Sequence, residues 1–208
     1  MTIEFKKGLA HVLGFRHGSR AQVPPPGNAW DYFMMLGEKV PEDARRIVRT
    51  YFPELVPAAL RVSQIPRSAQ TLFMLWPELV PQIRLDRRLG IEFEDVPQWA
   101  PCDAVSDAYN MTPQQMHELQ PDLVDQCGQN FMAVADDLAK VVGAGKVGAM
   151  VSHMPIADCG ARFARKRLGI TEDDGWLPGK GFGSGAFVHL AYDSGQLVSC
   201  DYYPVPAE

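Results

Sequence analysis

Apolar runs of strand length alternate with helix-length stretches along most of this 208-residue chain, and that alternation constrains its fold more than any other feature. Residues 9–15 (LAHVLGF) are mostly apolar and end against Arg16-His17-Gly18, the pattern of a short strand covered on both faces. Residues 58–65 (AALRVSQI) read as a second strand and 146–153 (KVGAMVSH) as the strongest strand of the chain, ending at His153. Residues 82–89 (QIRLDRRL) read as a third strand on the apolar positions Ile83, Leu85 and Leu89. Helices are expected around 28–38, over 41–52 with Pro41 at the start and Glu42 and Asp43 in the first turn, and over 66–76 opening on Pro66. Two more are expected over 126–142, with Phe131, Val134, Leu138 and Val141 on one face, and over 155–168, with Gly169 as its stop. The closing runs AFVHLAY and QLVSCDYY flank Asp193-Ser194-Gly195 and read as a hairpin. Strands alternating with helices predict an α/β fold, a three-layer α/β/α sandwich around a mostly parallel sheet. The stretch 93–125 lacks periodicity, is rich in Pro, Asp and Gln, and reads as a lid-like insertion within a single domain over 1–208.

Composition narrows the classes of partner. A net charge of -5 disfavours nucleic acid and anionic membranes, which select basic surfaces. Cys102, Cys127, Cys159 and Cys200 form no C-x-x-C pair, so neither a zinc site nor a redox motif is indicated, and a reduced, cytoplasmic chain is expected. No apolar stretch is long enough to span a bilayer, and the N-terminal apolar run contains His11 and lacks a small-residue cleavage site, so no signal peptide is read.

In sheets of this kind sites form beyond the carboxyl ends of the strands. Arg16-His17 and His153 both fall at such ends, which makes two distant histidines candidates for one site. A neutral imidazole is a competent nucleophile toward phosphorus, and a neighbouring guanidinium holds phosphate oxygens with two directed hydrogen bonds. Gly18 lets the backbone approach a ligand, and Arg20 adds a second cation to the same loop. Arg67 sits in the first turn of a helix after a strand, where the guanidinium and the helix terminus both favour an anion. Any one of these elements alone reads more readily as a surface turn, an exposed helix arginine or a structural histidine.

Taken together, FRHG at 15–18, S-x-x-x-R-x-x-x-T at 63–71, VSH at 151–153 and the closing GSGAFVHLAYDSGQL at 183–197 resemble the histidine phosphatase (phosphoglycerate mutase-like) superfamily in order and separation. The resemblance covers nearly the whole chain except 93–125. It implies that His17 accepts the phosphoryl group, that Arg16, Arg67 and His153 line the phosphate pocket, and that water then releases phosphate. It also implies a carboxyl proton donor after the third strand, for which Glu92 lies at the expected place, with Glu94, Asp95 and Asp158 as rivals. Arg20 resembles the second arginine of the R-H-G-x-R motif of the acid phosphatase branch, but Met154 stands where that branch has an aspartate. No metal or organic cofactor is implied.

The remaining motifs support less. Gly179 to Gly185 does not follow the Walker pattern, and its expected role is a close backbone approach that puts Ser184 or Gly185 near bound phosphate. Trp76 and Phe73 read as core, and His117 and His189 show no partner pattern. After RHG the chain has Ser19-Arg20-Ala21-Gln22 rather than the residues typical of mutases, which favours a phosphatase over a mutase. The expected substrate is a small phosphomonoester or a phosphorylated protein, with a phosphoglycerate-type mutase and a non-catalytic phosphate-binding or sensing module as alternatives.

Overall fold

A computed structural model of the chain describes residues 2–18, 39–90, 113–153, 155–170 and 183–207. The elements run β1 (Ala10–Arg16), α1 (Val40–Tyr51), β2 (Ala59–Val62), α2 (Pro66–Leu75), a 3-10 turn (Pro77–Gln82), β3 (Ile83–Leu85) and a second 3-10 turn (Arg87–Leu89). They continue α3 (Pro113–Leu119), α4 (Pro121–Val142), β4 (Val147–Ser152), α5 (Ile156–Arg167), β5 (Phe187–Asp193) and β6 (Gln196–Tyr203).

The six strands form one sheet in the order β3-β2-β4-β1-β5-β6. β3, β2, β4 and β1 are mutually parallel, β5 is antiparallel to β1, and β6 is antiparallel to β5. The chain is thus α/β with a mostly parallel sheet. Its central strands are apolar throughout because both faces are covered. Val12, Met150, Val188 and Leu190 pack into one cluster with Phe131, Val134 and Leu138 of α4 and Ala161 and Ala164 of α5. Leu13, Phe15, Leu60, Val62, Ala149 and Val151 pack into a second cluster with Ile47 of α1 and Leu72 and Leu75 of α2. Close approach on the first face needs residues without a side chain: a Cβ on Gly160 would lie 2.1 Å, and one on Gly14 2.7 Å, from the ring of Phe131.

Several expectations hold and several need correction. Pro41 opens α1 with Glu42 and Asp43 in its first turn, and the left-handed Gly169 follows α5. Ser194 and Gly195 both take positive φ, as a two-residue turn matching the twist of a hairpin requires. The expected third strand shrinks to Ile83–Leu85 between two 3-10 turns, with Leu85 on the surface. Val141 is exposed and Val142 is buried instead, because α4 turns its last residues by 100° each and the sheet lies under the latter. Phe73 is 46% exposed, so only Trp76 of that pair is core. Residues 113–125 are helical, as α3 and the start of α4; the rest of the expected insertion and the expected helix around 28–38 lie outside the described residues. Cys127, Cys159 and Cys200 are buried. Among the described residues no helix is long and apolar enough to cross a membrane.

Candidate active site

Register brings the sequence-distant motifs together. β1 and β4 pair in parallel with Arg16 opposite Ser152, so the next residues, His17 and His153, leave the sheet side by side. The amide of His17 donates to the carbonyl of Ser152 across 2.9 Å, extending the ladder by one bond. Val62 pairs with Val151, and the amide of Ser63 donates to the carbonyl of Val151, so β2 delivers the 63–71 motif to the same edge. Pro66 occupies the start of α2, and the hydroxyls of Ser63 and Ser68 meet at 2.7 Å, folding the turn so that Arg67 stands in the first turn of the helix.

The two imidazoles lie nearly parallel, with ring centroids 6.4 Å apart. Both are buried, at 7% exposure for His17 and 5% for His153. Nδ1 of His17 lies 2.6 Å from the carbonyl oxygen of Gly18. A carbonyl only accepts, so Nδ1 carries the proton and Nε2 keeps its lone pair. Burial, followed by the nearby charge of Arg67, lowers the pKa of His17 to about 3. Burial, then Arg67 and then Arg16, lower that of His153 to about 4. Each ring is therefore neutral near pH 7, and both guanidinium charges act on the pair. Nε2 of His153 is buried and has no hydrogen-bond partner among the described residues. Such an atom marks a place for a polar ligand, since burial without a partner costs about 1–3 kcal/mol.

The loop after His17 is held closely. The amide of Gly18 donates to Oγ1 of Thr71 at 3.1 Å, and that hydroxyl in turn donates to the carbonyl of Arg67 at 2.7 Å. A Cβ on residue 18 would lie 2.5 Å from Cγ1 of Val40, so only glycine fits there. Gly18, Thr71, Ser184 and Gly185 line a small recess, and the amide of Gly185 donates to the carbonyl of His17 at 3.2 Å. The described part of the glycine-rich loop thus approaches the His17 backbone, with Ser184 beside it.

No family model matches the chain, and no curated protein matches it. Solved structures do. Bacillus stearothermophilus YhfR superposes with a TM-score of 0.59 at 17% identity, over 90% of this chain and 94% of that one. A mycobacterial glucosyl-3-phosphoglycerate phosphatase gives 0.57 at 16% identity, over 95% of this chain and 100% of that one. A phosphoglycerate mutase from Bacillus anthracis gives 0.51 at 13% identity, over 92% of each chain. This chain has the phosphoglycerate mutase-like fold.

Within this fold the structure gathers His17, His153, Arg16, Arg67, Gly18 and Ser184 at one sheet edge. Arg20, Glu92, Glu94 and Asp95 lie outside the described residues. Asp158 is fully buried in the first turn of α5. The sequence reading passed over Tyr202, which bonds with the backbone of Gly183 and lies within electrostatic range of Asp158 and Arg16. Its signal was its place in β6, where Tyr202 pairs with Val188 at the end of the hairpin nearest the site. It also passed over the partner of His189, a buried hydrogen bond of 2.9 Å to His11, with the ring of Phe5 edge-on to both. Likewise His117 has a partner, Asp125, at 3.5 Å. Among the described residues no group of three or more His, Cys, Asp or Glu side chains is placed to hold a metal ion.

Proposed function

We propose that the chain is a phosphatase that hydrolyses phosphomonoesters through a phosphohistidine on His17. The observation that carries this reading is the neutral, tautomer-fixed imidazole of His17, its ring centroid 6.4 Å from that of His153, whose buried Nε2 has no partner among the described residues. In the proposed first step Nε2 of His17 forms a bond to phosphorus, the phosphorus–oxygen bond to the leaving group breaks, and Glu92 gives that oxygen its proton. In the second step water forms the new phosphorus–oxygen bond, the phosphorus–nitrogen bond breaks, and the Glu92 carboxylate takes the proton from water. Arg16, Arg67 and, in this reading, Arg20 hold the phosphoryl oxygens, Ser184 and the Gly18 turn close over them, and His153 donates once the bound anion favours its protonated form.

The link between Leu89 and Ser152 supports Glu92 as donor. It fixes the chain three residues before Glu92 against the end of β4, which leads into His153. The substrate class is a small phosphorylated molecule or a phosphorylated protein side chain, acted on in the cytoplasm. Hydrolysis of para-nitrophenyl phosphate from pH 4 to 9 tests the reading. Wild type is expected to release phosphate and His17→Ala to be inactive although folded. Equal activity in both removes His17 as the nucleophile.

A further inference from the structure

Two histidines that the phosphate site does not use meet beneath the N-terminal segment. His11 of β1 and His189 of β5 are 1% and 6% exposed. His189 stands opposite Leu13 in the antiparallel register, so it and His11 share the α1 face of the sheet. Nδ1 of His11 lies 2.9 Å from Nε2 of His189, and Nε2 of His11 lies 3.0 Å from the carbonyl oxygen of Lys6. That carbonyl only accepts, so Nε2 of His11 carries its proton, Nδ1 is the acceptor, and Nε2 of His189 donates to it. The two bonds fix both tautomers of the neutral pair. They leave Nδ1 of His189 as the one ring nitrogen that can take a proton while both bonds stay.

Residues 2–9 lie across this pair without a helix or strand of their own. The Phe5 ring sits 5.2 Å from the His11 ring and 5.4 Å from the His189 ring, edge-on to both. Ile3 is buried, and its amide donates to the carbonyl of Tyr51 at the end of α1 across 2.8 Å. The Lys6 carbonyl that holds His11 also accepts from the amide of Leu9 at 3.0 Å. Among the charged and titratable residues of the neighbouring elements, Glu4, Lys6 and Lys7 are on the segment itself. Lys146 precedes β4 and its carbonyl accepts from the amide of His11, Asp201 stands opposite His189 on β6, and Tyr51 and Tyr203 pack in the same cluster. Burial is the main influence on both rings and lowers both pKa values; the Lys6 carbonyl follows for His11, and His11 itself for His189.

We infer that the His11–His189 pair is a proton-operated latch on residues 2–9: the neutral rings hold the segment closed, and proton uptake releases it. An imidazolium under Phe5 and Ile3 lacks its hydration, and a segment without ladder bonds lifts at lower cost than a strand, so water reaches the charge by local opening. In the open segment the rings titrate near the ordinary 6.5, whereas in the closed one His189 titrates at about 4. The closed form therefore binds fewer protons. Opening is favoured as pH falls from 6.5 toward 4 and is insensitive to pH above 6.5.

Amide hydrogen exchange from pH 8 to pH 5, corrected for the intrinsic rate at each pH, reads the latch in the wild-type protein. The amides of Ile3 and Leu9 are expected to lose roughly 30-fold in protection, the ratio that one proton with these two pKa values gives at pH 5. Interior amides of β1 and β4 are expected to stay better protected at every pH. His189→Gln keeps a donor toward Nδ1 of His11 but does not titrate, and should hold the protection of Ile3 and Leu9 within about threefold over the same range. Phe5→Ala loosens the segment and by reciprocity moves the titration of the His189 ring toward 6.5, read from its nitrogen-15 chemical shifts. The inference is overturned if Ile3 and Leu9 keep their protection at pH 5, if they and the sheet amides lose it together to the same extent, or if His189→Gln responds to acid as the wild type does. Should His189→Gln fail to fold, the wild-type exchange profile and the Phe5→Ala titration decide, and a His189 ring that still titrates at about 4 without Phe5 overturns the latch. None of these readouts depends on phosphoryl transfer, so the latch and the proposed activity stand or fall separately.

Discussion

The amide of Gly18 donates to Oγ1 of Thr71 across 3.1 Å, so the turn that carries His17 is tied to the helix that carries Arg67. Thr71 is buried and its hydroxyl also donates back to the carbonyl of Arg67, so one side chain spans the two halves of the site. Thr71→Val keeps the shape and removes both bonds. It is expected to cost about 1–3 kcal/mol in unfolding free energy, because a buried amide and a carbonyl lose their partner. Chemical denaturation measures the cost, and Thr71→Ser should recover most of it.

Gly18 is specified by contact rather than by backbone conformation. Gly18→Ala sets a Cβ within 2.5 Å of Val40 Cγ1, and overpacking of that kind costs typically about 1–3 kcal/mol. The double variant Gly18→Ala with Val40→Ala removes the clash. It is expected to be more stable than the sum of the two single changes implies, a coupling readable from a double-mutant cycle.

Acid should destabilise this protein steeply. His17 at about 3, and His153 and His189 at about 4, all lie below the ordinary value of 6.5, in each case mainly through burial. The unfolded chain therefore binds more protons than the folded one between pH 6.5 and about 4, so stability is full above pH 6.5 and falls as pH drops. Each histidine contributes a loss of roughly 2 kcal/mol by pH 5, and the three together approach the whole stability of an ordinary domain. Melting temperature recorded from pH 8 to pH 4 is expected to drop sharply below pH 6. A flat profile contradicts the burial of neutral rings.

Anion binding should oppose that loss. Phosphate or vanadate beside His153 favours its protonated form and binds only the folded chain, so it raises the melting temperature with concentration. Arg67, whose charge acts on both imidazoles, is central to the pocket. Arg67→Ala is expected to weaken vanadate binding about 10- to 100-fold, as the loss of a charge-assisted bond predicts. Calorimetric titration checks it.

Much of this was legible in the sequence, for identifiable reasons. Strands buried on both faces read as unbroken apolar runs, so β1 and β4 and the histidines that follow them were located without knowledge of their pairing. Placing His17 beside His153 needed the register of Arg16 opposite Ser152, which no local pattern encodes. α3 and the first turn of α4 fall in a stretch whose Pro, Asp and Gln mask helical periodicity, although a proline such as Pro121 is favourable at the start of a helix. The His11–His189 bond joins residues 178 apart along two antiparallel strands, beyond the reach of any spacing rule. Phe73 was placed in the core on type alone, but it lies on the solvent side of α2, next to the buried Leu72.

The central claim is that His17 carries the phosphoryl group. Rapid acid-free quenching of the enzyme with radiolabelled para-substituted phosphomonoester, followed by peptide mapping, tests it most directly. The account predicts transient label on the His17 peptide, lost in mild acid and stable in base, with none in His17→Ala. Hydrolysis that proceeds at the wild-type rate with no label on His17, or that persists in His17→Ala, contradicts it.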